Sequence, residues 1–343
     1  MSTVRISCLQ LSPLTFKLID MLRVGVARGG PGNEYEASLI HGEAVLRALA
    51  DMPDEFEPVD ILVDREGTWH VRGMPVTIDT FAPRVDIVWN ALHGEYGENG
   101  ELTQILDERG IPHTSAPSLT SRTALNKAVF RKYAEKNGMK VPDAVSIDEG
   151  EARDAEELTR EIHSHIPPPW VVKYTKGGHS VGVALARSVP ELELAIESAL
   201  QVDEPFIVEQ YLYGREIIGG VLKDFRGQTH YPLMPMEAKK KGIFEHASRM
   251  AGEVPLILLE KHEEEKAQIA QFFRDLDKEL PLGFTTTGDF IRTPRGLYLI
   301  EIDAQPSVFE HSPIVHSLAH VGATIHDYVR GGIEFAKAKT KNR

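Results

Sequence analysis

The first 115 residues alternate short apolar runs with amphipathic stretches. Residues 22–27 form an apolar run, a glycine-rich segment at 29–33 ends it, and residues 34–50 place apolar side chains at helical spacing. Further strands are predicted at 59–63, 69–72, 74–78 and 85–91, with a helix at 101–109. This strand–helix alternation predicts an open α/β sheet at the N-terminal end of the chain.

From residue 118 onward the pattern changes to helices mixed with antiparallel strands. One continuous helix is predicted at 120–137, and a long loop at 239–252. Further helices are predicted at 151–165, 190–200 and 262–278, and residues 316–336 are predicted to be mostly helical with an interruption at Gly322. Further strands are predicted at 170–174, 181–186, 206–211, 215–222, 230–236, 284–292 and 296–302. The whole chain is therefore expected to be α/β (α+β) in class.

Composition narrows the function classes. A chain of 343 residues predicts two or three modules, and a net charge of -13 disfavours nucleic acid as a partner. The single cysteine, Cys8, cannot form an intrachain disulfide, which fits a reducing, cytoplasmic location. No apolar run is long enough to cross a bilayer, so no membrane partner is expected. Residues 1–20 lack the features of a secretory signal and are interpreted as an N-terminal extension or a mis-assigned start.

An acidic hairpin near the C-terminal end carries the clearest chemistry. Glu301 and Asp303 alternate with isoleucines along one predicted strand, so they share a face. If the register pairs Asp289 with Glu301, three carboxylates converge. Hard oxygen ligands suit Mg²⁺, or Mn²⁺, that also contacts substrate phosphates. The alternative is a solvated acidic face on an edge hairpin.

Two other segments are candidates for ligand contacts. The stretch from Lys173 to Gly182 contains Gly178 and Ser180 and could cradle phosphates, although an ordinary glycine hairpin is as good an interpretation. His93 follows a buried strand, where open α/β sheets bind ligands, but a simple turn is an equal alternative. The chain lacks both G-x-x-x-x-G-K-[ST] and G-x-G-x-x-G, which disfavours a Walker-type loop and a nicotinamide enzyme.

Taken together, these segments resemble the D-alanine–D-alanine ligase family. The resemblance runs from about Gly25 to Asp327, nearly the whole chain. Its motifs are Gly29-Gly30 with Glu34, Ala91-Leu92-His93-Gly94 with Gly97-Glu98-Asn99-Gly100, Asn126-Lys127, Lys173 with Gly178, Ser180, Val181 and Gly182, Val208-Glu209, Gly214-Arg215-Glu216, Glu237-Ala238-Lys239, Asp289-Phe290, Glu301-Ile302, Pro306 and His311-Ser312. The order and spacing of these motifs agree throughout.

The resemblance implies an ATP-grasp fold with three domains at 21–117, 118–209 and 210–343, the last two gripping ATP. It implies that Lys127, Lys173 and Lys239 contact phosphates together with Gly178 and Ser180. It implies that Glu209 and Glu216 hold the adenosine, with Gln210, Tyr211 and Leu212 near the base. Asp289, Glu301 and Asp303 would hold Mg²⁺. Glu34 would face the amino group of the first substrate, and His93 would line the same site.

Departures from the family pattern fall mostly on substrate positions. The family usually has arginine at the position of Thr287, where it clamps a substrate carboxylate, and a neutral hydroxyl cannot replace that contact. The other departures are His179 for a serine, Lys240 for a tyrosine, Asp303 for an asparagine and Ser307 for a glycine. Ser312 is retained as a substrate residue. His179, Lys240 or Arg292 could supply the lost carboxylate contact, which makes His179 and Lys240 candidate catalytic residues beside Glu34, His93 and Lys239.

These observations predict an ATP-dependent carboxylate–amine ligase that acts through an acyl phosphate on an altered amino acid or peptide substrate. Its expected partners are these small molecules and a second copy of the chain in a homodimer. Three alternatives stay open: a non-catalytic ATP-binding protein on the same fold, a phosphorylating enzyme, and an authentic D-alanine–D-alanine ligase of peptidoglycan synthesis.

Overall fold

The computed structural model describes residues 21–175, 183–239 and 255–341. Within these ranges the helices are α1 Tyr35–Ala50, α2 Ile78–Phe81, α3 Gly94–Glu98, α4 Glu101–Glu108, α5 Ser118–Leu125, α6 Lys127–Lys136, α7 Ala155–His165, α8 Val189–Leu200, α9 Glu263–Glu279, α10 Pro313–His320 and α11 Ile325–Lys341. The strands are β1 Leu22–Gly29, β2 Phe56–Val63, β3 Trp69–Val71, β4 Met74–Val76, β5 Ile87–Asn90, β6 Ala144–Ile147, β7 Trp170–Tyr174, β8 Ala184–Ala186, β9 Phe206–Gln210, β10 Arg215–Phe225, β11 Gln228–Pro232, β12 Met236–Ala238, β13 Leu256–Leu258, β14 Thr285–Thr293 and β15 Gly296–Asp303.

The N-terminal sheet has the order β4-β3-β2-β1-β5, and β1 runs parallel to both β2 and β5. Its central strands are apolar on both faces, as expected when helices cover a parallel sheet. The turn after β1 depends on glycine, because Gly29 has a φ of +90° and a Cβ there would lie 2.2 Å from the Val63 carbonyl oxygen. This turn brings Glu34 to the start of α1, at the ends of the parallel strands.

Two antiparallel sheets form the rest of the fold. The central sheet has the order β6-β9-β7-β8, and the larger C-terminal sheet has the order β13-β12-β10-β14-β15 with β11 paired to β10. Helices α5 and α6 contact β15, and Phe130 and Ala134 of α6 lie in the core of the C-terminal sheet. The predicted domain boundaries at 117 and 209 stay a prediction.

One hydrophobic core joins the N-terminal and C-terminal sheets. It contains Trp89 of β5, Phe284 just before β14, and Tyr328 of α11, and both Trp89 and Phe284 contact the Tyr328 ring. The central sheet has a core of its own, built on Trp170 and covered by α7 and α8. None of the helices in the described ranges is sufficiently long and apolar to span a bilayer.

Two predicted elements are wrong in detail. The helix predicted at 120–137 is interrupted at Asn126, whose extended backbone ends α5 and whose side chain caps α6 by accepting from the Val129 N–H. The strand predicted at 230–236 is two strands, β11 and β12, because prolines at 232 and 235 cannot donate to a ladder. Residues 1–20, 176–182 and 240–254 lie outside the described ranges, and with them most of the predicted loop at 239–252.

A partly buried charge cluster away from the candidate site predicts a pH-dependent stability. Burial alone would raise the pKa of Asp277, but the Leu282 N–H, Lys223 and His230 outweigh it and hold the pKa below its ordinary value. A lowered folded pKa stabilises the protein above the unfolded pKa, and this stabilisation is lost as the pH falls through the folded pKa. We expect Asp277→Asn to lower the free energy of unfolding by about 1–3 kcal/mol at pH 7 and by much less near about pH 3.

Urea denaturation at both pH values measures this difference. The exposed Asp148 provides a matched control, since Asp148→Asn should change stability little at either pH. An equal loss of stability for Asp277→Asn at both pH values would contradict the electrostatic explanation.

Candidate functional site

The acidic hairpin has the register that would bring its three carboxylates together, which the sequence pattern had left open. Asp289 lies opposite Glu301, and Thr287 lies opposite Asp303, across the antiparallel β14–β15 pair. Directly opposed residues point to the same side of a sheet, so the three carboxylates share one face. All three acidic residues are partly exposed. Two opposed carboxylates on an accessible face fit the oxygen ligands that Mg²⁺ or Mn²⁺ takes.

Lys127 links this hairpin to the central sheet. Its Nζ lies 3.6 Å from Glu301 Oε2, and its position at the start of α6 is fixed by the Asn126 cap and by an N–H bond to the Thr175 carbonyl. Lys127, Glu209 and Glu301 line one pocket. A predicted phosphate contact, a predicted adenosine contact and a predicted metal ligand therefore meet in the same cleft.

Lys173 and Glu209 form a buried ion pair inside the central sheet. Lys173 Nζ lies 2.8 Å from Glu209 Oε2, and the two side chains are 7% and 8% exposed. Lys173 on β7 and Glu209 on β9 lie on adjacent antiparallel strands, where Glu209 pairs with Val171. At the cleft, the Lys173 ammonium can contact a phosphate, and the Glu209 carboxylate can accept a hydrogen bond from a hydroxyl group.

The remaining predicted nucleotide residues lie where β9 ends and β10 begins. Gln210 and Tyr211 are partly exposed and Leu212 is buried, while Glu216 pairs with Ala238 and Ile291. Lys239 follows β12 and its Nζ lies 2.6 Å from Glu237 Oε1. Burial opposes ionisation of Glu237, but Lys239 and then Arg215 hold its pKa below the ordinary value. Lys239 is thus held near the start of β10 by a carboxylate.

Glu34, His93 and Glu98 form a second polar cluster at the ends of the N-terminal strands. Among the described residues, this is the one group of candidate ligand side chains with three ligand atoms within 4.8 Å of one another; the acidic trio of the hairpin does not meet that distance. The His93 Nδ1 lies 3.4 Å from Glu98 Oε1, which also accepts from the Gly94 N–H at 3.1 Å. Two carboxylates around an imidazole suit a cationic group such as a substrate ammonium.

The segment after β15 docks on this cluster. The Gln305 Oε1 accepts from Asn90 Nδ2 at 2.7 Å, and the Gln305 side chain donates to the Leu92 carbonyl. Ser307 Oγ lies 3.0 Å from His93 Nε2. The Gln305 N–H also donates to Asp303 Oδ1 at 2.8 Å, so the same segment contacts both polar clusters.

The substrate positions have different surroundings. Thr287 is buried between Gly220 on β10 and Asp303 on β15. Thr285, on the same strand as Thr287, is hydrogen bonded to the Tyr328 hydroxyl. The pKa of Tyr328 is raised mainly by burial and to a smaller extent by Asp303, while the hydrogen bond with Thr285 acts to lower it. Ser312 is fully buried and caps α10 by accepting from the Val315 N–H, so its side chain has a structural use here.

Two participants were missed by the sequence reasoning. His41 Nδ1 lies 2.9 Å from His93 Nε2, and the two rings stack. Its signal was present, because His41 follows Glu34 by seven residues, about two helical turns. Gln305 had no local signal, since its partners lie more than 200 residues away.

Four predicted site residues cannot be placed. Gly178, His179, Ser180 and Lys240 lie outside the described residues. Arg292, a candidate for the lost carboxylate contact, lies 3.6 Å from Glu265 and 3.7 Å from Glu264 in this structure, at the far end of β14 from Thr287.

Comparison with known proteins agrees with the motif pattern. The family described as D-ala D-ala ligase C-terminus matches residues 133–334. The D-alanine–D-alanine ligase of Geobacter sulfurreducens is 30% identical over 328 residues, covering 93% of this chain and 95% of that protein. The D-alanine–D-alanine ligase of Ralstonia nicotianae is 27% identical over 314 residues, covering 90% and 88%.

Solved structures show the same fold. The D-alanyl-alanine synthetase A of Vibrio cholerae has a TM-score of 0.79 at 21% identity, covering 93% of this chain and 99% of that chain. The VanG D-Ala:D-Ser ligase of Enterococcus faecalis has a TM-score of 0.78 at 22% identity, covering 92% and 99%. The ATP-grasp fold with an N-terminal open α/β sheet, predicted from the sequence, is confirmed.

Proposed function

Since this chain belongs to the D-alanine–D-alanine ligase family, and is therefore an ATP-dependent ligase that forms a carbon–nitrogen bond, we propose that it joins a D-alanine-like amino acid to an amine other than D-alanine. The donor side keeps Glu34 and His93 of the family pattern. The acceptor side has lost the arginine at 287. A different amino acid derivative or a small peptide is the proposed acceptor.

The observation that carries this proposal is the pairing of Thr287 with Asp303. Where the family pattern has arginine and asparagine, this chain has a neutral hydroxyl opposite a carboxylate. The exchange removes one positive charge and adds one negative charge at the same place. An acceptor carboxylate would be repelled there, whereas a neutral or cationic group would be accepted.

The charged groups of the cleft support the first chemical step. Transfer of a phosphoryl group to a carboxylate needs positioning and neutralisation of charge more than covalent help from the protein. Lys127, Lys173 and Lys239 would neutralise the phosphates, and Asp289, Glu301 and Asp303 would hold Mg²⁺ or Mn²⁺. A bound divalent cation supplies further neutralisation of the transferring phosphoryl group. Glu34 would orient the donor through its ammonium, which leaves the donor carboxylate directed towards the cleft.

A screen of amine acceptors tests the function. Purified protein is incubated with ATP, Mg²⁺, D-alanine as donor and either D-alanine or D-alaninamide as acceptor, and released phosphate and product mass are measured. We expect faster amide formation with D-alaninamide. The double variant Thr287→Arg with Asp303→Asn should reverse the preference by about 10- to 100-fold, because it supplies a guanidinium that can pair with an acceptor carboxylate and removes the carboxylate opposite it.

Each alternative function has its own outcome in this screen. Rapid formation of the D-alanine dipeptide from D-alanine alone would contradict the changed acceptor. ATP binding without amine-dependent ADP formation from any acceptor would favour the non-catalytic protein. A stable phosphorylated product formed without amine would favour a phosphorylating enzyme.

The proposal also covers the cellular compartment and the oligomeric state of the protein. We infer a cytoplasmic protein, because a chain with a single cysteine fits a reducing compartment. We also infer a homodimer. Light scattering on the purified protein measures the molecular mass, and a value near 38.2 kDa would contradict the dimer.

A further inference from the structure

Ser307, His93 and Glu98 form a chain of hydrogen-bonding groups to which the proposed function assigns no proton transfer. Ser307 Oγ lies 3.0 Å from His93 Nε2, and His93 Nδ1 lies 3.4 Å from Glu98 Oε1. The two nitrogens of the imidazole therefore face a hydroxyl on one side and a carboxylate on the other. Serine, histidine and carboxylate in this order are the arrangement by which an imidazole accepts a proton from a hydroxyl.

The hydrogen bonds define which nitrogen carries the proton. An ionised Glu98 only accepts, so His93 Nδ1 donates to it and His93 Nε2 keeps a lone pair for the Ser307 hydroxyl. Glu98 is itself oriented by the Gly94 N–H. Glu34 approaches the same imidazole, so two carboxylates stabilise His93 when it becomes protonated.

The third group that faces His93 is its neighbour His41. Burial, with a smaller contribution from His93, lowers the pKa of His41 well below its ordinary value, so this ring stays neutral. A neutral His41 does not add a second positive charge to the cluster. With His93 Nε2 unprotonated, the His41 Nδ1–H donates to it at 2.9 Å, so this N–H and the Ser307 hydroxyl are directed at the same lone pair.

His93 and Ser307 differ in their exposure to solvent, and the difference allows a substrate to reach the hydroxyl but not the imidazole. The His93 side chain is 1% exposed, whereas Ser307 is partly exposed. Ser307 also follows Asp303 of the acidic hairpin by four residues, and Gln305 between them is hydrogen bonded to Asp303. A substrate amine near the acidic hairpin can reach the hydroxyl, while the imidazole behind it is shielded from water.

We propose that Ser307, His93 and Glu98 form a proton relay that deprotonates the attacking amine. This inference rests on the proposed ligase function. One ammonium proton passes to Ser307 Oγ as the Ser307 proton passes to His93 Nε2. The freed nitrogen lone pair forms the C–N bond to the acyl phosphate carbon. The C–O bond to phosphate then breaks, and the second excess proton on nitrogen leaves with the phosphate oxygen.

Ser307→Ala tests the relay through the protonation state of the acceptor. With D-alanine as donor and D-alaninamide as acceptor, we expect kcat to fall about 100-fold at neutral pH and to approach the wild-type value at alkaline pH, where the amine loses its proton in solution. Hydroxylamine is already neutral at pH 7. Its hydroxamate product should therefore form at nearly the wild-type rate in Ser307→Ala.

Two further variants separate the relay from a structural effect. Ser307→Thr keeps a hydroxyl and should retain most of the activity with both acceptors. Ser198→Ala removes an exposed hydroxyl on α8 and should leave both rates unchanged. Thermal melting of all three variants checks that they are folded.

The outcomes distinguish the relay from the function on which it rests. If Ser307→Ala slows hydroxylamine and D-alaninamide by the same factor at every pH, the relay is wrong while the ligase function stands. If the wild-type protein forms no hydroxamate, no acyl phosphate is made, and the proposed function fails together with the relay.

Discussion

Asp289→Asn is expected to lower amine-dependent phosphate release by about 100-fold or more, equivalent to about 3 kcal/mol of transition-state stabilisation. The reason is the register of the hairpin, which places Asp289 directly opposite Glu301 on an accessible face. The substitution keeps the size of the side chain and removes one negative charge, so a divalent cation is held less tightly. The protein should still fold, because Asp289 is partly exposed.

The measurement combines rate with nucleotide binding. Calorimetric titration with ATP, with and without Mg²⁺, should show that Mg²⁺ strengthens ATP binding to the wild-type protein far more than to Asp289→Asn. Asp148→Asn changes the same functional group at an exposed site away from the hairpin and should behave as wild type. If Asp289→Asn kept both the rate and the Mg²⁺ effect, the acidic face would be a solvated surface and the metal site would be elsewhere.

The second large effect is expected from the buried pair of Lys173 and Glu209. Lys173→Met leaves a carboxylate buried in the central sheet without the cation 2.8 Å away. Breaking a buried pair by removal of one partner costs about 3–5 kcal/mol. We therefore expect Lys173→Met to lower the local stability of the central sheet by about this amount, measured as faster hydrogen exchange of amides in β7 and β9.

The double variant Lys173→Met with Glu209→Met separates stability from nucleotide binding. Replacement of a whole buried pair by apolar residues is often neutral, so most of the lost protection in β7 and β9 should return. ATP affinity should stay low, because both predicted nucleotide contacts are gone. Recovery of ATP affinity together with stability would show that the pair is purely structural.

How much the sequence could predict is clearest in the acidic hairpin. Alternation of Glu301 and Asp303 with isoleucines predicted a shared face, and the turn at residues 293–295 predicted the hairpin. The sequence could not fix the register of the hairpin, and the pairing of Asp289 with Glu301 is known only from the structure. The irregularity between Asp289 and Phe290 could not be predicted, since an extra residue in a ladder leaves no clear mark on hydrophobic alternation.

Errors in the helices and strands came from local signals that were present but outweighed. Asn126 is a good cap for the helix that follows it, but the apolar pattern continues across it and suggested one helix. Pro232 and Pro235 could have divided the predicted strand at 230–236. In both places one or two residues determined the structure, although the hydrophobic pattern of the surrounding residues favoured one continuous element.

Contacts between distant segments were beyond any local pattern. Ser307 and His93 are separated by 214 positions, and Asn90 and Gln305 by 215. Such pairs depend on how whole sheets are placed, which periodicity and turn residues do not encode. Only the resemblance to a known family connected these segments in advance, and it placed a glycine where Ser307 contacts His93.

The aromatic residues between the N-terminal and C-terminal sheets determine which parts of this protein can be isolated as fragments. Trp89 on the N-terminal side packs against Tyr328 and Phe284 on the C-terminal side, and α11 approaches so closely that a Cβ at Gly332 would lie 2.5 Å from the Trp89 ring. We therefore expect the N-terminal and C-terminal sheets to unfold together, although a long stretch of chain separates them. A truncated protein that begins at residue 118 would expose these rings and tend to aggregate. The central sheet, with its separate core around Trp170, is the better choice for isolation as a fragment.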